Sequence, residues 1–165
     1  EVLVDIWRRH PEWPLLTVVW HRDRTSLGII PPNVHVITEY MPDDELQTLQ
    51  RTCGVHLCPS LSEGWGHYIV EGMSCEAVVL VTDGPPMNEL VDNTRGVVVP
   101  SSRSEPRKMG FNFYVDPLAL ERSIGDLVAM PDARKLELGL AARAWYDENH
   151  VAFQQRLQML WPLLD

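Results

Sequence analysis

The chain has 165 residues, 45% of them hydrophobic and 22% charged, with a formal net charge of -9. This length suits one domain with a real core. The acidic balance argues against a nucleic-acid-binding face, which would need to be basic, and no apolar run is long enough for a membrane span.

The first ten residues read as a helix, with Val2, Leu3, Ile6 and Trp7 at helical spacing and Pro11 and Pro14 bracketing its end. The opening carries no basic region ahead of an apolar one, so no signal peptide is expected. Leu15–Trp20 is a continuous apolar, β-branched run, which suits a strand buried on both faces of a parallel sheet. At its carboxyl end stand Arg22 and Arg24. They are within reach of a bound diphosphate, or they belong to a solvated loop. Residues 33–38 form a second strand. Asp43 is the expected N-cap of the next helix, with Asp44 and Glu45 in its first turn.

Val55–Cys58 is a third short strand, ending in Pro59-Ser60. The chain then runs Ser62-Glu63-Gly64-Trp65-Gly66-His67-Tyr68-Ile69-Val70-Glu71-Gly72-Met73. This reads as a strand, a glycine-rich turn and a helix, and in open α/β sheets ligands bind at such turns. The eight steps from Glu63 to Glu71 span about 12 Å of helix rise. One carboxylate would precede the helix and the other would sit inside it, with free N–H groups at the helix start between them. A nucleotide-sugar has that layout: sugar hydroxyls, a diphosphate, then ribose hydroxyls. Carboxylates accept hydrogen bonds from hydroxyls, and backbone N–H groups favour phosphate. Glutamates on helix faces and glycines in turns are common in their own right, so the spacing alone does not decide the matter.

Glu76 follows this helix; glycine favours a left-handed helix cap, and glutamate adopts one at a cost. Val78–Val81 is a fourth, fully apolar strand. The loop Thr82–Glu89 contains Gly84 and two prolines and leads into a short helix through Leu90-Val91. Its start would face the same cleft as the Gly64–Gly66 turn. Glu89 is either a sugar contact or an acid stabilising its own helix. Gly96–Pro100 is a short strand. The polar stretch Ser101–Gly110, with Arg103, Arg107 and Lys108, reads as an exposed loop that closes over a donor, meets an acceptor or is simply solvated. Phe113–Val115 is a last short strand, and Asp116-Pro117 cap and open a helix. Residues 131–148 form a further helix. After Asn149-His150, residues 151–161 form a final amphipathic helix, with Phe153, Leu157, Leu160 and Trp161 on one face and Pro162 at its end.

Strands alternate with helices throughout, which predicts one α/β domain over residues 1–165, a Rossmann-like parallel sheet flanked by helices. Cys53, Cys58 and Cys75 make neither a disulfide framework nor a zinc spacing, and the six histidines show no ligand pattern. Reduced thiols in a cytoplasmic setting, or simply a buried apolar role, are expected, and no metal.

The ordered set Pro59-Ser60, Glu63-Gly64-Trp65-Gly66, Glu71-Gly72-Met73, Thr82-Asp83-Gly84 and Glu89-Leu90-Val91 resembles the C-terminal domain of retaining glycosyltransferases of the GT-B fold, family 4 type. The resemblance covers roughly residues 33 to 150. It implies that Glu63 meets the donor sugar near the reacting centre and that Glu71 holds the ribose. It also implies that amides around Trp65, Gly66 and His67 meet sugar and phosphates, and that the Tyr40 loop lies near the nucleobase. The donor would be a nucleoside diphosphate sugar, used without a metal or cofactor. The resemblance further implies an N-terminal acceptor-binding domain, so the chain reads as a fragment that binds donor weakly and does not turn over. Any membrane contact would lie in that other half. The family's usual glycine after the first strand is His21 here. Two other readings compete: a non-catalytic binding or scaffold domain of the same fold, and a nucleotide-sugar epimerase.

Overall fold

The computed structural model describes residues 1–160. The elements alternate as expected: α1 (Val2–Arg9), β1 (Leu16–Val19), β2 (Val34–Ile37), α2 (Asp43–Thr52), β3 (Val55–Cys58), α3 (His67–Ser74), β4 (Val78–Thr82), α4 (Met87–Leu90) and β5 (Val97–Val99). Then come β6 (Ser101–Arg107), β7 (Gly110–Val115), α5 (Pro117–Ala129) and α6 (Asp132–Leu160).

β4 is the centre of the molecule. All five of its residues are buried, and it pairs in parallel with β3 on one side and β5 on the other. Val78 and Leu80 pack with Val4, Ile6 and Trp7 of α1 and with Leu120, Ile124 and Leu127 of α5. Val79 and Val81 face the opposite way, onto Ile69 and Met73 of α3, Met87 and Leu90 of α4, and Ala142 of α6. The two-residue period of a strand thus divides one apolar run between two helical layers. α5 starts as its sequence predicts: the Asp116 carboxylate accepts from the Ala119 N–H at 2.7 Å, with Pro117 in the first turn.

Five details depart from expectation. The parallel strands fall into two groups, β1 with β2 and β3 with β4 and β5, instead of one continuous sheet. β1 and β3 each keep an unpaired edge, and both edges line a cleft of about 610 Å³. Pro42, not Asp43, occupies the cap position of α2, and Asp43 is its first helical residue. Having no hydroxyl or carboxylate, Pro42 caps nothing, and Asp43, Asp44 and Glu45 act on the helix start through charge alone. Ser101–Arg107 is not a loop but a strand, paired antiparallel with a β7 longer than the sequence suggested. Its pairing is held by polar cross-strand contacts. The Arg103 guanidinium lies 3.9 Å from the centroid of the Tyr114 ring, and the Tyr114 hydroxyl donates to Glu105 at 2.8 Å. Finally, α6 runs unbroken through Asn149 and His150. Neither residue forces a break, and Gln154 and His150 bond across one turn at 2.9 Å. Phe153, Leu157 and Leu160 are exposed on its distal half. Trp161 and Pro162 lie outside the described residues.

Glu76 does adopt the left-handed conformation, with φ at 59°. A side chain pays for that conformation with a steric clash of its Cβ. Glu76→Gly is therefore expected to stabilise the fold by about 1 kcal/mol, read as a higher urea midpoint with an unchanged m-value.

Candidate functional site

The turn between β3 and α3 carries most of the residues singled out by sequence. Gly66 ends it at the cap position with φ at 91°. Trp65 and His67 are exposed, and Gly64 has open space where a side chain would be. Of the amides opening α3, those of Ile69 and Val70 already donate to the Gly66 carbonyl at 3.0 and 3.2 Å, and those of His67 and Tyr68 precede the first helical bond. Behind them the turn is packed: a side chain on Gly66 would touch Ile69 and Leu90, so α4 abuts the turn. Glu89 is exposed on α4 beside it.

Glu63 is half-buried in the turn. Its charge acts on two neighbours, Cys58 at the end of β3 and Tyr68 in the first turn of α3. Burial, and after it the Glu63 charge, pushes the Cys58 thiol far above its usual range. The Tyr68 phenol is likewise raised, by burial first, then by the charges of Cys58 and Glu63 and a hydrogen bond to Glu63. Tyr68 also hydrogen-bonds the Ser60 hydroxyl. Ser60 and Tyr68 thus brace the side of the turn on which Glu63 sits.

Glu71 lies just over one turn into α3 and points toward α2, where the Gln50 amide donates to its carboxylate at 2.8 Å. It borders a polar hollow of about 580 Å³ with Asp43, Gln47, Arg51, Arg143 and Tyr146. Glu63 does not line this hollow. Neither acid lines the cleft between β1 and β3; only Tyr68, the neighbour of Glu63, and Gln50, the partner of Glu71, do. Arg143 closes the far side by donating to the Ser74 carbonyl at 2.7 Å.

Arg22 and Arg24 are exposed after β1. Neither lines the hollow or the cleft. Arg24 contributes its charge to Glu39, whose pKa is lowered mainly by its own and Thr38's backbone N–H groups. The loop after β4 is covered by the hairpin: a side chain on Gly84 would meet the Phe113 ring at 2.3 Å. The Phe113 N–H donates to the Leu61 carbonyl at 2.6 Å. Gln50 and Arg143 carry no local pattern that marks them, because each reaches α3 from a helix distant in sequence, while Tyr68 and Arg107 stand in segments the sequence singled out but without the contacts that tie them to the turn. Among the described residues no three His, Cys, Asp or Glu side chains gather as a metal group, and no helix is long and apolar enough to cross a membrane.

This three-layer fold, with a glycine turn at the carboxyl end of β3, is that of the C-terminal α/β domain of GT-B glycosyltransferases. Residues 28–109 match the family described as Glycosyl transferases group 1. The fold is similar to the C-terminal domain of a glycosyl transferase group 1 family protein from Francisella tularensis, with a TM-score of 0.62 and 16% identity over 90% of this chain and 75% of that one. It is also similar to a glycosyltransferase from Rickettsia africae, with a TM-score of 0.74 and 16% identity over 99% of this chain. A sucrose-phosphate synthase from Thermosynechococcus elongatus gives a TM-score of 0.74 and 21% identity over 99% of this chain. The chain spans 44% and 41% of the length of these last two proteins. No curated protein sequence matches.

Proposed function

We propose that this chain is the donor-binding domain of a retaining glycosyltransferase, which moves a sugar from a nucleoside diphosphate sugar to an acceptor. The observation that carries this reading is the placement of the two acids. Glu63 stands before α3 and Glu71 inside it, with the Gly64–Gly66 turn and its helix-opening amides between them. In this reading Glu63 meets the sugar and Glu71 the ribose hydroxyls. Amides of Trp65, Gly66 and His67 lie along the diphosphate, and Glu89 reaches the sugar from α4. Arg22 and Arg24 serve the diphosphate only if the loop after β1 folds toward the turn. Fixed N–H dipoles and cations would meet the charge that develops on the leaving diphosphate, a role that needs no metal. The acceptor site belongs to a second, N-terminal domain, for which the exposed apolar residues of α6 are the docking surface.

Calorimetry with a panel of nucleoside diphosphate sugars tests the reading. One member of the panel should bind the chain weakly, without turnover to any acceptor. Its binding should compete with the matching free nucleoside diphosphate. Absence of binding by every member, with the protein folded, would instead favour a scaffold of the same fold. Inversion or elimination at the sugar would favour an epimerase.

A further inference from the structure

The β6–β7 hairpin has no part in the reading above, yet it is fastened to the centre of the site. Phe113 donates from its backbone to Leu61 at 2.6 Å, and its ring lies flush on Gly84. At the other end of the hairpin Arg107 reaches back to the same turn. Its guanidinium donates to the Ser62 hydroxyl at 3.2 Å and to the Asn112 side-chain oxygen at 3.3 Å.

Both of these acceptors are neutral. The acid on the same face of β6, Glu105, is already taken by Arg103 and by the Tyr114 hydroxyl. Glu63, next to Ser62, neighbours Tyr68 and Cys58. Among the described residues Arg107 enters no ion pair, and neither do Arg22, Arg24, Arg51, Arg122 and Arg156, but of these six only Arg107 bonds to the turn between β3 and α3. A guanidinium is always charged and presents five donors, and only two bonds are recorded here. An exposed cation held against a ligand-binding turn by neutral groups keeps its charge for something else.

We infer that Arg107 is a ligand-binding residue, delivered by the hairpin to Ser62 at the start of the turn, where it takes a phosphoryl oxyanion of the donor's diphosphate. This rests on the donor-binding reading above. Arginine suits the task because its fork can address two phosphate oxygens at once. The two existing bonds orient that fork.

The test uses inorganic pyrophosphate as the probe, by calorimetry at low salt, on the parent and on Arg107→Gln, Arg107→Lys and Arg122→Gln. Arg122 is an exposed cation on α5, away from the turn. Arg107→Gln should weaken pyrophosphate about tenfold, the loss of one charge-assisted bond. Arg107→Lys should recover most of that loss, and Arg122→Gln should leave affinity unchanged. Thermal melts of the same samples show whether the hairpin variants are folded, and the lysine variant keeps the test valid if glutamine disturbs the hairpin. Equal pyrophosphate affinity in parent and Arg107→Gln, or no binding by the parent, overturns the inference. The nucleotide-sugar panel separates the two readings. Donor binding that ignores Arg107 sinks this inference alone. Arg107-dependent pyrophosphate binding without any nucleotide-sugar binding sinks the donor reading and leaves the oxyanion site standing.

Discussion

Glu71→Ala should lower affinity for the preferred nucleotide-sugar about 100-fold while leaving the fold intact. In the proposed donor reading two ribose hydroxyls donate to this one carboxylate, which would account for roughly 3 kcal/mol at about 1.5 kcal/mol or more for each bond to a charged acceptor. The fold should survive because Glu71 is exposed and its bond to the half-buried Gln50 lies at the surface, where water can satisfy the amide. Gln50→Ala should cost only a few-fold, since it removes an orienting bond and no ligand contact. Calorimetry with the donor selected from the panel gives both numbers. An unchanged affinity in Glu71→Ala would remove the ribose from this end of α3.

The largest effect on stability is expected at Gly139. A Cβ placed there would lie 1.9 Å from the Glu76 carbonyl oxygen and 2.8 Å from its carbon. Both are backbone atoms, so no rotamer change relieves the clash. α6 would have to move off the end of α3, separating Ala142 from the core beneath β4. Gly139→Ala should cost about 3 kcal/mol or more, lowering the melting temperature by roughly 10 °C in a domain of this size. Gly125→Ala is the contrasting case: its nearest neighbour, Trp13, lies at an ordinary 3.6 Å. There the helix propensity of alanine should leave stability level or raise it by up to about 1 kcal/mol. Thermal denaturation of the two variants side by side separates close approach from the generic effect of adding a methyl group.

Much of the framework was legible because its signals are local. Val78–Val81 is apolar at every position, and only a strand covered on both faces uses such a run. Asp116-Pro117 marks the start of α5 by chemistry confined to three residues. Glu76 stood out as a misfit for its cap, and it carries the strained φ. The order of the glycine turn and its two acids marks the candidate site in the sequence itself. What escaped depends on partners distant in sequence. β6 reads as a polar loop with a proline, and only β7 across from it supplies Tyr114 and Phe113. The division between β1 and β3 is a matter of unpaired edges, which residue type does not encode. Gln50 lies 21 positions from the acid it holds, and Arg107 lies 45 from Ser62. α6 continues through Asn149 because nothing there stops it, and polarity alone was a poor stop signal.

The stems of the β6–β7 hairpin meet where the Asp116 N–H donates to the Pro100 carbonyl at 2.9 Å. The chain therefore leaves the frame after β5 and rejoins it at almost the same point, immediately before α5. The hairpin thus enters and leaves the frame through a single point, while Phe113 and Arg107 tie its body to the turn after β3, so a change of length confined to its tip is expected to leave the flanking scaffold in register.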